Sequence, residues 1–295
     1  VHADTVSICD NRTLQRIISG MNSMNICFIG GGNMATALIG GMLARKFYHA
    51  DEISVVEINA DQRIRLQHDF AVRAVDNVAD GILGSQIIVL AVKPQQLREV
   101  VERLAPQLSG QLLISIAAGV RAADIARWAG SSAIVRVMPN TPALIGSGVS
   151  GLYALPEVTP VNREIAENIL KTVGSTLWVE QEPMLDAVTA ISGSGPAYVF
   201  YFIEALQNAA EQFGFDEAVA RSLAVDTFLG AAKLANSSDE AVGVLRTRVT
   251  SKNGTTERAL MSMASSQVAE HIVQAAFAAE ARSREMGDEL GCASC

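Results

Sequence analysis

Along the first half of the chain, short unbroken apolar runs alternate with stretches in which apolar positions recur every three or four residues. The runs lie at 25–30, 53–58, 87–92, 112–116 and 133–137 and are rich in Ile, Val and Leu. Runs without polar alternation predict parallel strands covered on both faces. The periodic stretches 34–45, 60–70, 94–108 and 122–128 predict helices between them. Strand–helix alternation at this spacing predicts βαβ units in a doubly wound sheet. Two further strands, near 149–154 and 176–180, are expected to extend that sheet around a helix at 161–173. After Glu182 the texture changes, and Ala, Leu, Met and Glu dominate. Helices are predicted at 184–190, 196–213, 217–235, 239–248, 255–264 and 268–286, with Gly214, Asn236 and Gly287 as caps or turns.

The expected architecture is therefore α/β, a Rossmann-type doubly wound parallel sheet followed by an all-α dimerisation domain. The boundaries are an N-terminal extension at 1–23, a dinucleotide-binding domain at 24–182, a helical domain at 183–291 and a tail at 292–295. Several helices of the second domain are apolar on more than one face. A domain of that size cannot hide so much apolar surface alone, which predicts a dimer or larger assembly.

Length and charge narrow the partners. The 295 residues suffice for two domains with a full core. A net charge of −8 argues against nucleic-acid binding, which needs clustered Lys and Arg. No run reaches the ~18 apolar residues that a membrane helix requires. Residues 1–23 lack the continuous apolar segment of a signal peptide, so the expected address is the cytoplasm. Cys9, Cys27, Cys292 and Cys295 do not make a disulfide framework, and the Cys292/Cys295 pair reads as a loose tail, with no metal site expected.

Five segments, and the end of the second strand, carry the candidate chemistry. The first is Gly30-Gly31-Gly32-Asn33-Met34-Ala35, which fits G-x-G-x-x-A directly after a strand and directly before a helix. Gly30 permits the tight turn, Gly32 lets a pyrophosphate approach the backbone, and Ala35 allows close helix–strand packing. The helix opening at Asn33 and Met34 offers unpaired N–H groups to phosphates. At the end of the second strand, Glu57 points to a ribose 2′-hydroxyl and hence NAD, whereas Asn59 and Arg63 suit a 2′-phosphate. The residues alone leave that choice open. The third strand ends in Ala91-Val92-Lys93-Pro94, a turn expected along the cofactor because ligands sit beyond the carboxyl ends of such strands. Asn140 lies in the stiff turn Met138-Pro139-Asn140-Thr141-Pro142. The stretch 192–198 places glycines and hydroxyls at a helix start. Finally, 249–256 crowds hydroxyls and free amides before another helix, an anion nest for a small acid.

Together these segments, FIGGGNMATAL, LAVKPQ, RVMPNTP, ISGSGPAY and VTSKNGTT, resemble the pyrroline-5-carboxylate reductases over residues 24–287. The last resembles the family signature V-T-S-P-G-G-T-T, with Lys252 and Asn253 in place of Pro and Gly. Asn tolerates the left-handed conformation that a glycine there would adopt. The resemblance implies hydride transfer from NADPH, with NADH as the other cofactor, to the C=N carbon of 1-pyrroline-5-carboxylate, giving L-proline. It implies that Thr256 contacts the imine nitrogen, that Ser251, Asn253, Gly254 and Thr255 surround the substrate carboxylate, and that Glu240 or its neighbour Asp239 is the acidic, substrate-binding residue before the loop. It also implies a cofactor site at Gly30, Gly32, Asn33, Met34, Ala35, Glu57, Asn59, Ala91, Val92, Lys93, Pro94 and Asn140. A homodimer is implied, with dimers assembling into rings of five. Two other classes fit parts of the pattern: a β-hydroxyacid dehydrogenase using Lys233 and Asn236, and a dinucleotide sensor without catalysis.

Overall fold

The protein is described by a computed structural model that covers residues 24–291. The expected extension at 1–23, with Cys9, and the Cys292/Cys295 tail lie outside the described residues. The chain divides into two compact units. The first holds the residues up to Gly193 and from Arg282 onward, and the second holds Ser194–Ala281.

The first unit is built on an eight-stranded sheet. Its strands are β1 (Ile26–Ile29), β2 (Ile53–Val56), β3 (Arg73–Val75), β4 (Ile87–Leu90), β5 (Leu112–Ser115), β6 (Ile134–Met138), β7 (Gly148–Ala154) and β8 (Gly174–Trp178). The spatial order is β3-β2-β1-β4-β5-β6-β7-β8. The first six strands run parallel, and β7 pairs antiparallel with β6. Strand β8 is parallel to β7, so the two expected extra strands join the sheet against the direction of the rest. The first six strands have the 3-2-1-4-5-6 order of the dinucleotide-binding fold, with its switch point between β1 and β4.

Strand periodicity explains the two-sided core. Ile26, Phe28, Ile87 and Val89 point to one face, and Cys27, Ile29, Ile88 and Leu90 to the other. Helices α1 (Asn33–Ala44) and α6 (Pro160–Lys171) cover the first face with Leu38, Ile39, Met42, Ile165 and Ile169. Helices α4 (Pro94–Leu104) and α5 (Ala122–Ala129) cover the second with Leu97, Val101, Leu104, Ile125 and Trp128. Helix α2 (Ala60–Phe70) adds Leu66.

Strand β3 and the one-turn helix α3 (Val78–Ile82) were not expected from the hydrophobic pattern. Helix α4 stops at Leu104, where Pro106 holds a tighter turn, rather than running to 108. Helix α7 (Met184–Val188) continues through a widened π-type turn at Thr189–Gly193.

Among the described residues, two charged side chains lie buried in this unit, Arg136 and Asp186. Arg136 of β6 is buried, with Nη1 2.9 Å from Glu182 and Nη2 3.8 Å from Asp186. Glu182 also accepts the Ala122 N–H at 2.7 Å, and Asp186 accepts the Ser283 hydroxyl at 2.7 Å. Ser283 and Gly287 belong to α12 (Val268–Gly291), so this network fixes the end of that helix. Gly287 is an interior helical residue rather than the expected cap. A side chain there would lie 3.1 Å from the Gly119 carbonyl, so glycine serves close approach instead of termination.

The second unit contains α8 (Gly195–Gln212), α9 (Glu217–Asn236), α10 (Val242–Arg248), α11 (Thr255–Ser265) and α12 to Ala281. Asp216 caps α9 by accepting the Val219 N–H, and Gly214 makes the turn before it at φ +98°. Its only fully buried apolar side chains among the described residues are Ala210, Ala220 and Ala224. Phe200, Tyr201, Leu229, Leu234 and Phe277 stand exposed. No helix among the described residues is long and apolar enough to cross a membrane.

Candidate active site

The first unit forms a cleft of about 640 Å³ at the carboxyl ends of β1, β2 and β4. Gly30, Gly32, Glu57, Ala91, Val92 and Lys93 all line it. Gly30 adopts φ +102°, and a Cβ there would lie 2.7 Å from the Ala91 carbonyl oxygen, so neither strain nor space admits another residue. Gly32 precedes α1 with no side-chain cap, and a Cβ added to it would meet nothing within 4 Å. Its open face and the uncapped amides of Asn33, Met34 and Ala35 fit the pyrophosphate of a dinucleotide. Ala35 itself is buried, as close packing of α1 on the sheet requires.

Glu57 is less free than the sequence suggests. One carboxylate oxygen accepts the Gly31 N–H and the other the Asn59 N–H, both at 2.8 Å. It therefore braces the glycine turn against the end of β2. Asn59 caps α2, its side-chain oxygen accepting the Gln62 N–H at 3.0 Å. Arg63 donates to the Glu57 and Ile58 carbonyls and lies 3.8 Å from Asp76. Pro94 occupies the first turn of α4, where its missing N–H costs nothing, and Lys93 stands exposed before it.

Asn140 is held by the protein on both sides of its amide. It is buried and is not among the residues lining the cleft. Its amide nitrogen donates to the Ser192 carbonyl at 3.2 Å and hydroxyl at 3.1 Å, and its oxygen accepts the Val149 N–H at 2.8 Å. It clamps the end of β6 to β7 and to the π-type turn. Conversely, the sequence reading missed Asp76 and Asn77, which line the cleft because β3 ends there. It also missed Gln96, Glu99, Val100 and Arg103. Their i, i+3, i+4, i+7 spacing puts all four on one face of α4, a signal that was available.

In the second unit, Ser251-Lys252-Asn253-Gly254 makes a turn that opens α11. The Gly254 N–H donates to the Ser251 carbonyl at 3.0 Å, and Asn253 adopts φ +58°. A side chain on Gly254 would collide with the Ser251 hydroxyl. Gly254 is the cap residue and offers no side-chain bond to the amides of Thr255 and Thr256. The hydroxyls of Ser251, Thr255 and Thr256 have no hydrogen-bond partner among the described residues. Glu240 accepts from Arg248 at 2.6 Å. Lys233 is exposed in the last turn of α9, with nothing built around it. Chemically, the loop presents bare amides and hydroxyls at a positive helix end, suited to a small carboxylate.

Comparison with known proteins decides the family. A pyrroline-5-carboxylate reductase from Pseudomonas aeruginosa is 43% identical over 273 residues, covering 92% of this chain and 100% of that protein. The chain belongs to the pyrroline-5-carboxylate reductase family. The family model for pyrroline-5-carboxylate reductase dimerisation matches residues 182–286. A model described as NADP oxidoreductase, coenzyme F420-dependent, matches residues 25–119. The solved pyrroline-5-carboxylate reductase of Coxiella burnetii is 40% identical, with a TM-score of 0.85 over 90% of this chain and 99% of that one. The pyrroline carboxylate reductase of Plasmodium falciparum, solved with NADP bound, is 29% identical, with a TM-score of 0.81 over 90% of this chain and 98% of that one. Lys233 and the dehydrogenase reading built on it fall away with this membership.

Proposed function

We infer that the chain reduces the C=N bond of 1-pyrroline-5-carboxylate to L-proline, with NADPH as the preferred reductant and NADH as an alternative. The observation that carries the substrate half is the loop 251–256, with unpartnered hydroxyls and bare amides at the start of α11. A reduced nicotinamide, when bound, supplies the hydride. The protein's part is orientation, because a protonated imine is already electrophilic and needs no strong acid. The Thr255 and Thr256 amides and the Ser251 hydroxyl hold the substrate carboxylate, with Asn253 and Gly254 shaping the turn. The Thr256 hydroxyl contacts the imine nitrogen, which keeps its proton as the ring becomes an amine. Glu240, oriented by Arg248, supplies the acidic side of the pocket.

Glu57 is engaged by the Gly31 and Asn59 amides, and Asn59 and Arg63 are engaged by the protein as well. The preference for NADPH therefore rests on the family and on the relative solved with NADP bound. A homodimer is supported by the exposed apolar faces of the second unit.

The test is oxidation of NADPH or NADH by purified protein with 1-pyrroline-5-carboxylate, followed by absorbance, with proline as the product. Thr256→Ala is expected to lower kcat by about 10²-fold, the scale of one positioned proton or hydrogen-bond contact, while dinucleotide affinity holds. Full activity in that variant would remove Thr256 from its role.

A further inference from the structure

The turn that opens α11 lacks the two residues that would hold it most firmly. Its Gly254 N–H closes on the Ser251 carbonyl, and its third residue, Asn253, has positive φ. Positive φ at the third position but not at the second marks a type II turn, in which Pro is favoured second and Gly, or after it Asn, third. This chain has Lys252 and Asn253 there. Lys252 lacks the fixed φ of proline. Asn253 tolerates the left-handed region less readily than glycine does. Gly254, at the cap, has no side chain to tie the turn to the helix. The turn therefore needs another constraint.

One is present. The Glu257 carboxylate, in the first turn of α11, accepts the Asn253 N–H at 2.7 Å. This is the capping-box arrangement reaching one residue further back than usual. Among the described residues it is the only side-chain hydrogen bond to the turn. We propose that Glu257 is a positioning residue, a brace that holds the 251–254 turn in its active shape and makes up for the missing proline and glycine. The proposal rests on the reading of 251–256 as the substrate loop. Glu257 does not itself touch substrate in this account. It acts through Asn253, and thereby through the placement of Ser251, Thr255 and Thr256.

The test is a cycle in the full-length enzyme. Glu257→Ala is made in the natural loop and in a Lys252→Pro/Asn253→Gly background, whose own activity is the reference for its half of the cycle. In the natural loop, the expected loss in kcat/KM for 1-pyrroline-5-carboxylate is about tenfold, with the KM for NADPH unmoved, because misplacement by a fraction of an ångström is enough. In the Pro/Gly background the same substitution should cost less than about twofold, since the turn no longer depends on the brace. Glu257→Gln, which can still accept the N–H, should recover most of the loss. Hydrogen exchange at the Asn253 amide reads the brace without reference to substrate and should accelerate in Glu257→Ala. Equal losses in both backgrounds, or unchanged exchange at Asn253, would overturn the proposal. Faster exchange with undiminished turnover would uphold the brace and break the reading of 251–256 as the substrate loop. Should Glu257→Ala fail to fold, Glu257→Met gives the same comparison with a side chain of similar length that accepts no such bond.

Discussion

The two units solve burial in opposite ways. The first closes on itself. Its parallel strands alternate side chains into two cores, and five helices cover the two faces. The second buries only three alanines fully, while phenylalanines, leucines and a tyrosine remain at its surface. A buried Phe or Leu contributes about 1.5–3 kcal/mol, so leaving many of them in water forfeits more than a typical domain's net stability. A sheet can complete its own core within one chain. A bundle of helices with more than one apolar face must find another surface. The cleft lined by Gly30 and Gly32 is accordingly formed within one unit, and the loop 251–256, proposed to take the substrate, lies in the unit that leaves its apolar faces open.

The sharpest way to break this contrast is to charge an exposed apolar position in each unit. Phe277→Glu on α12 and Phe200→Glu on α8 are expected to abolish the proposed dimer in sedimentation velocity and to reduce turnover below detection. Ile64→Glu on α2, whose parent residue is exposed to a similar degree (62% against 65% for Phe200), should leave both unchanged. A fully active dimer carrying Phe277→Glu would show that its exposure is not an interface.

How much of this was legible follows from the same contrast. The five main strands were readable because unbroken apolar runs have few other fates. The glycine turn was readable because Gly30 answers to a local φ and Gly32 to an open approach. Strand β3 was not, because it has three residues at the sheet edge and only Ala74 is fully buried. Asn140 is ambiguous in sequence for a different reason. A polar residue at a strand end can face ligand or protein, and its partner Ser192 is 52 positions away. Glu57 has the same ambiguity, since its bond to Gly31 spans 26 positions. Local chemistry survives in sequence, whereas partners chosen by the fold do not. Gly287 shows this from the other side: a helical glycine reads as a stop until the close approach of Gly119 supplies its reason.

The next effect tests the self-sufficiency of the first unit. Arg136→Met removes the cation paired with Glu182 and Asp186 in the buried network of β6. Breaking a buried pair by deleting one partner costs about 3–5 kcal/mol, because the remaining charges are left uncompensated. Thermal or denaturant unfolding should show a loss of that order. Arg136→Met combined with Glu182→Gln and Asp186→Asn should recover part of it, since no buried charge then remains. A single variant as stable as the parent would mean that the network is solvated rather than structural.

The smallest effect lies at the sheet edge. Glu167 of α6 accepts from Lys171 at 2.7 Å, and from the Thr176 hydroxyl and the Trp178 indole, each at 3.2 Å, so it ties α6 to β8. The bond from Lys171 comes first in holding its carboxyl below the ordinary range, against a smaller opposing effect of burial. A lowered folded pKa stabilises the fold above the unfolded value and loses that contribution as pH falls through the folded one. The pair is partly open to solvent, which limits its worth to about 1 kcal/mol or less. Measured as the unfolding free energy of the parent minus that of Glu167→Gln, the gap should be full at neutral pH. It should begin to narrow below the unfolded carboxylate pKa of about 4.3. It should close once pH drops below the folded value. A gap independent of pH would assign the stabilisation to packing of the side chain rather than to its charge.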